Sequence, residues 1–204
     1  MKTDIVMKRR LCLTSKFVRV ALSLVVLLCG ISVDMHAQRM LAKDRQVTIE
    51  AGVPFVDGSS VKGRGIASLE WARFLSQADN IGVVASYVGV GAVSSEGVVP
   101  LHQMLLTGFY RMLLYSDEAN IVNLFGQIGG EGGYEFSSKS YLSERGLSLK
   151  KDPVLVYGLQ ASINTDLYFA NTSALRLRIG TRALFDSHLP IFQPYITTGV
   201  VLTL

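Results

Sequence analysis

Apolar and polar positions alternate along eight segments of the chain, which is the pattern of β-strands with two different faces. In Ala174–Phe185, for example, Leu175, Leu177 and Ile179 alternate with arginine and glycine. No segment after residue 37 keeps the apolar spacing of an amphipathic helix. The eight predicted strands are Gln46–Val53, Gly65–Phe74, Ile81–Val90, Leu101–Leu114, Ile121–Tyr134, Val154–Phe169, Ala174–Phe185 and Gln193–Leu204.

The connections between these strands alternate in length. Those after the second, fourth and sixth strands are short and carry Asn, Asp or Ser, as tight turns do. The intervening ones are longer, namely Pro54–Arg64, Gly91–Pro100, Ser137–Pro153 and Asp186–Phe192. An antiparallel meander with short turns at one end and long loops at the other is typical of outer-membrane β-barrels. The sequence therefore predicts an all-β, eight-stranded, up-and-down transmembrane barrel.

Each predicted strand has one apolar face and one face of polar residues or glycine. The apolar faces should contact lipid, because an arginine there costs roughly 2–4 kcal/mol at the bilayer midplane. Side chains fill the interior of a barrel of this size, so inward charges must be paired. We expect the arginines of the seventh strand to pair with the glutamates of strands one, two and five. The predicted lumen charges are Arg111, Arg176, Arg178, Arg182, Glu50, Glu70 and Glu131.

Aromatic residues near both ends of the strands predict two belts at the membrane interfaces. A soluble periplasmic β-barrel that binds a ligand is the alternative, because alternation alone does not say which face is outside. Strand length, overall hydropathy and a secretory signal in residues 1–37 favour the membrane barrel. The predicted belts contain Trp71, Phe74, Tyr115, Tyr168 and Phe169 near the short turns, and Tyr87, Tyr134, Phe136, Tyr157, Phe185 and Phe192 near the long loops.

The first 37 residues have the pattern of a secretory signal peptide. A basic stretch precedes the apolar run Val20–Ile31, which is too short to span a bilayer as a helix. Cleavage is expected between Ala37 and Gln38, which leaves residues 38–204 as the barrel domain. A lipoprotein modified at Cys29 and an uncleaved anchor are the alternatives. The expected location is the outer membrane.

Removal of residues 1–37 changes the charge of the chain. Six of the 20 Lys and Arg residues and two of the 16 Asp and Glu residues lie in this segment, which leaves 14 of each sign. Both cysteines, Cys12 and Cys29, lie there too. The remaining domain is predicted to have neither a disulfide nor a cysteine metal site, and no net charge to attract nucleic acid.

Residues with catalytic or cofactor-binding potential are few. His102 and His188 are far apart in sequence and lack the spacing of metal ligands. The glycines of Gly126–Tyr134 are not followed by the lysine and helix of a phosphate-binding loop. We therefore expect no enzymatic activity, no cofactor, no metal and no small-molecule substrate.

Several short motifs are distributed along the chain, namely Ala37-Gln38-Arg39-Met40-Leu41, Val99-Pro100-Leu101, Gly133-Tyr134-Glu135, Tyr157-Gly158, Gln193-Pro194 and Gly199. Together they resemble the TraO family of conjugative transposon proteins of the Bacteroidetes type. The resemblance spans residues 38–204, although the chain ends in Leu204 rather than an aromatic residue and keeps only Gly108 in the centre of strand four. It implies an outer-membrane component of a conjugative DNA-transfer apparatus, with other apparatus proteins as partners and no catalytic residues.

Three functions remain open at this point. The barrel could anchor or dock components of a mating apparatus, it could be a general small barrel whose loops mediate adhesion or partner binding, or it could be an outer-membrane enzyme. The enzyme hypothesis would require His102 or His188 to act near the loops. The first function is the one that the resemblance favours.

Overall fold

A computed structural model describes residues 44–55, 61–94, 97–137 and 153–204. The predicted signal peptide, with its Ala37–Gln38 junction, lies outside the described residues, and so does most of the predicted loop Ser137–Pro153. The described residues form eight strands: β1 (Arg45–Pro54), β2 (Val61–Phe74), β3 (Asp79–Ser94), β4 (Gly97–Ser116), β5 (Val122–Ser137), β6 (Val154–Ala170), β7 (Ser173–Phe185) and β8 (Phe192–Thr203).

The eight strands form one closed antiparallel barrel. Each strand pairs with the next in the chain, and β1 pairs with β8 to complete the ring. Thr48 of β1, for example, lies opposite Glu70 of β2 on one side and Val201 of β8 on the other. The predicted number, direction and order of the strands are confirmed.

The outer wall of the barrel is apolar. Ile49 and Leu159 have exposed fractions of 65% and 64%, and the same outward face of the strands carries Leu106 and Ile128. A soluble barrel would turn such a face inward, since a continuous exposed apolar band is not stable in water. The band marks a transmembrane barrel, which confirms the membrane alternative that the sequence favoured. Within the described ranges, no helix has the length and apolar character to cross a membrane.

One predicted long loop is instead part of the sheet. Residues 91–94 and 97–100 extend the pairing of β3 with β4, and Ser94 pairs with Gly97. The prediction of a loop at Gly91–Pro100 was wrong because it gave weight to glycine and proline there. The valines on both sides of the hairpin favour extended backbone, and the pairing continues through them.

The aromatic belts are only partly as predicted. Trp71, Tyr115 and Tyr157 are exposed on the outer wall, whereas Phe74 and Tyr168 are buried in the lumen. These two share the inward parity of the polar residues in their strands, and that parity decides their direction more than their closeness to a strand end does.

Two apolar layers enclose the middle of the lumen. At the end with the short turns, Phe74, Phe125, Tyr168 and Val201 pack together with Ala174. At the end with the long loops, a second cluster fills the interior. It contains Ile66, Val88, Val90, Leu101, Leu105, Val156, Leu184, Leu189 and Tyr195. The polar side chains between the two layers are therefore separated from water at both ends.

The outward face can be tested with a single charge. Ile163 lies near the middle of β6 on the outer wall, opposite Ile179. We expect Ile163→Arg to lower the free energy of unfolding by roughly 2–4 kcal/mol, because the guanidinium would face hydrocarbon. Urea titration in phospholipid vesicles measures this change. The control is Asn171→Arg in the exposed β6–β7 turn, for which a surface substitution should alter stability by less than about 0.5 kcal/mol.

Candidate functional site

The centre of the lumen is organised around Glu70 of β2. Its Oε1 accepts hydrogen bonds from Arg111 Nη2 at 2.6 Å and from Arg176 Nη1 at 2.7 Å. Its Oε2 accepts a further bond from Arg178 Nη2. Glu70 is 1% exposed, so three guanidinium groups from β4 and β7 converge on one buried carboxylate.

Arg176 makes the most complete ion pair in the lumen. Its Nε and Nη2 donate to Oδ1 and Oδ2 of Asp166, each at 2.6 Å. This two-pronged geometry matches the planar fork of arginine to a carboxylate and is the strong form of the interaction. The two residues lie directly opposite each other on β6 and β7. Asp166 therefore fixes the orientation of the Arg176 guanidinium, and in that orientation Nη1 bonds Glu70 across the lumen.

Arg178 and its partner Glu50 connect the first and last strands of the chain, β1 and β8, to the rest of the network. The Nη2 of Arg178 lies 3.0 Å from Oε1 of Glu50 on β1, and its Nε donates to Asn164 Oδ1 at 2.8 Å. Thr197 of β8 donates to the second oxygen of Glu50 at 2.9 Å. Strands β1, β6, β7 and β8 thus meet at this guanidinium and its glutamate.

Arg111 and Arg182 differ in how firmly they are held. Arg111 donates to Gln127 Oε1 from Nε and Nη2, at 3.0 and 2.7 Å. Arg182 Nε lies 3.6 Å from Glu131 Oε2, too far for a hydrogen bond, and its guanidinium packs over the Tyr195 ring at 4.7 Å. The structure therefore places all seven predicted lumen residues inside, in one tight group and one looser pair.

Two inward carboxylates were missed by the sequence analysis. Asp166 has the same parity as Gln160 and Asn164 on β6, so continuing the alternation by one step would have found it. Glu135 lies two strand positions beyond Gly133 on β5 and contacts the β7–β8 connection. Its partners Ser187 and His188 lie in a loop, and the alternation of apolar and polar positions does not predict where a loop folds.

The buried charges of the described lumen are nearly balanced. Four guanidinium groups, those of Arg111, Arg176, Arg178 and Arg182, face five carboxylates. The basic stretch "LRLRIGTR" at Leu175–Arg182 therefore offers no surplus positive charge at the surface. Its arginines are buried partners of carboxylates rather than ligands for phosphate groups.

The two histidines lie on different surfaces. His102 faces outward on β4, where its Nδ1 lies 2.6 Å from Tyr87 Oη and its ring stacks on the Tyr87 ring. His188 lies at the mouth of the lumen, with Nδ1 2.7 Å from Glu135 Oε1. They do not form a common site. In the part of the chain that the structure describes, no group of three or more His, Cys, Asp and Glu side chains is arranged to hold a metal ion.

An apolar outer wall, a closed ring of eight antiparallel strands and a lumen filled by side chains define a small outer-membrane-type β-barrel. Solved structures with this fold are similar to the chain. OprG of Pseudomonas aeruginosa has a TM-score of 0.59 and 13% identity, over 84% of this chain and 99% of that one. The N-terminal barrel of P. aeruginosa OprF has a TM-score of 0.52 and 8% identity, over 81% and 100%.

A third similar structure is Ail, the attachment invasion locus protein of Yersinia pestis, with a TM-score of 0.50 and 13% identity over 81% of this chain and 100% of that one. At these identities the likeness establishes the fold alone. The family comes from the sequence, because the profile "Conjugative transposon protein TraO" matches residues 41–204. The chain belongs to the TraO family, as its motifs indicated. The comparison with curated proteins finds no match.

Proposed function

We propose that the protein is a non-enzymatic outer-membrane component of a conjugative DNA-transfer apparatus and that it anchors or docks other components there. The observation that carries the proposal is the match to the TraO family over residues 41–204, on a barrel with an apolar wall. In this proposal residues 1–37 direct secretion through the inner membrane and are removed.

The distribution of polar surface supports docking at the ends of the barrel. The wall is suited to lipid, and apolar layers lie at both ends of the charged lumen. Partner proteins would then contact the loops and turns. The short turns at 75–78, 117–121 and 171–172 would face the periplasm, as they do in barrels of this type.

The chemistry of the lumen supports a role without catalysis or DNA contact. Its arginines are held by buried carboxylates, and moving one of them to a phosphate would leave a carboxylate unpaired at a cost of several kcal/mol. The histidines are separated between the wall and the mouth. These features favour a scaffold over a reaction centre or a conduit for a polyanion.

The experiment is deletion of the gene from a mobile element, followed by complementation. We expect transfer to recipient cells to be lost without a change in growth, and to return with the intact gene. A photo-crosslinking residue at Asn171, in an exposed short turn, should capture apparatus proteins, with a crosslinker at exposed Ile179 on the lipid-facing wall as the control. Unchanged transfer after deletion would overturn the role in conjugation.

Location is tested separately by membrane fractionation and by electrophoresis with and without boiling. We expect the protein in the outer-membrane fraction, with a band that shifts only after heating. Recovery in the soluble periplasm without a heat-dependent shift would contradict the proposed location.

A further inference from the structure

The connection between β7 and β8, Asp186–Ile191, folds over the end of the lumen that carries the long loops. Leu189 is 6% exposed and belongs to the apolar cluster there, with Leu184 and Tyr195. Its neighbours Pro190 and Ile191 are exposed. At this point a single layer of backbone covers the lumen, with the Leu189 side chain on its inner side and solvent on its outer side. We call Asp186–Ile191 the cap.

Glu135 makes most of the polar contacts with the tip of the cap, and Gln103 Nε2 adds a longer hydrogen bond to Ser187 Oγ at 3.5 Å. Glu135 Oε2 accepts hydrogen bonds from Ser187 Oγ at 2.7 Å and from Gln103 Nε2 at 2.8 Å. Its Oε1 accepts from the His188 backbone N–H at 2.9 Å and lies 2.7 Å from His188 Nδ1. Three of these four contacts come from the cap, and Glu135 itself is 1% exposed.

The base of the cap is held by different bonds. Leu184 N donates to Ile191 O at 2.9 Å, and Gln193 Nε2 donates to Pro190 O at 3.2 Å. Asp186 has a φ of 60°, a left-handed conformation that aspartate tolerates in turns. The base continues the β7–β8 ladder, whereas the tip bonds Glu135 and Gln103. The tip and the base of the cap are therefore held by separate sets of hydrogen bonds.

We propose that the cap is a movable cover of the lumen and that Glu135 is its latch. When the bonds from Ser187 and His188 to Glu135 are broken, the tip lifts and Leu189 leaves the apolar cluster. The strands stay paired, because the Glu70 network lies deeper in the barrel and shares no residue with the latch. This inference depends on the closed barrel and not on a role in conjugation.

Cysteine labelling tests the latch. The two cysteines of the chain, Cys12 and Cys29, both lie in residues 1–37, so Leu189→Cys adds a separate reporter. With a membrane-impermeant maleimide and the folded protein in vesicles, we expect slow labelling of Leu189→Cys and fast labelling of Pro190→Cys. Adding Glu135→Ala should accelerate labelling at position 189 by at least about tenfold, because several bonds to a charged group are lost together.

Glu118→Ala is the control, since Glu118 is exposed in a short turn at the other end of the barrel. It should leave the labelling rate at position 189 unchanged. Equal slow labelling with and without Glu135→Ala would overturn the latch, and so would equal acceleration by Glu118→Ala. If the Glu135→Ala variant shows no heat-dependent gel shift and is therefore unfolded, the labelling of Leu189→Cys is measured with Ser187→Ala instead. An acceleration of about threefold supports the latch, and an unchanged rate overturns it.

Discussion

Replacing Glu70 with alanine is expected to lower the free energy of unfolding by about 3–5 kcal/mol, because it leaves buried guanidinium groups without their shared partner. Arg111, Arg176 and Arg178 all donate to this one carboxylate. Arg176 keeps Asp166, but among the described residues Arg111 retains only the neutral Gln127 as a side-chain hydrogen-bond acceptor. Urea titration in vesicles, followed by tryptophan fluorescence, measures the change.

Two further variants distinguish loss of charge from loss of volume at this position. Glu70→Gln keeps the shape and one acceptor oxygen but removes the charge, so its effect should fall between those of the wild type and Glu70→Ala. Glu118→Ala, in an exposed turn, should alter stability by less than about 0.5 kcal/mol. A barrel as stable with Glu70→Ala as with Glu118→Ala would show that the network contributes nothing to stability.

The second large effect is expected at a glycine on β5. A Cβ added at Gly133 would lie 2.9 Å from the Cα of Leu105 and closer still to the Met104 carbonyl oxygen, both in the backbone of β4. Backbone in a paired strand cannot move aside as the end of a side chain can. We expect Gly133→Ala to cost about 1–3 kcal/mol or more, or to prevent folding, because the strands must separate to admit the methyl group.

Gly130 on the same strand is the matched control. A Cβ added there meets no atom within 4 Å, because Gly130 lies on the outer wall opposite Gly108. Gly130→Ala should fold normally and keep its heat-dependent gel shift. Comparable losses in both variants would indicate that strand flexibility, rather than close approach of β4 and β5, explains these glycines.

Alternation along the chain predicted the strands and which side chains share a face, and strand length, the secretory signal and hydropathy decided that the charged face points inward. The segment Leu175–Arg182 illustrates why, since each arginine is separated from the next by an even number of positions and all three point inward. Phe74 and Tyr168 were assigned to the wall although they share the parity of Glu70 and Asp166. Their parity in the sequence already indicated an inward direction, but the prediction gave more weight to their closeness to a strand end.

The partners within the lumen could not be predicted one by one. Glu70 and Arg176 are 106 positions apart, and their meeting depends on how the strands tilt and stagger around the ring. No local pattern encodes that stagger. The latch at Glu135 is harder still, because it joins a strand to a loop that has no periodicity.

The contacts of Glu50 have a consequence for how the barrel enters the membrane. Its partners Arg178 and Thr197 belong to the last two strands, so they meet β1 only when the first and last strands of the chain come together. Before that, an incomplete barrel would hold Arg178 without its carboxylate partners Glu50 and Glu70. Insertion should therefore be all-or-none, and a chain that lacks β1 or β8 should be degraded rather than accumulate as a partly inserted sheet.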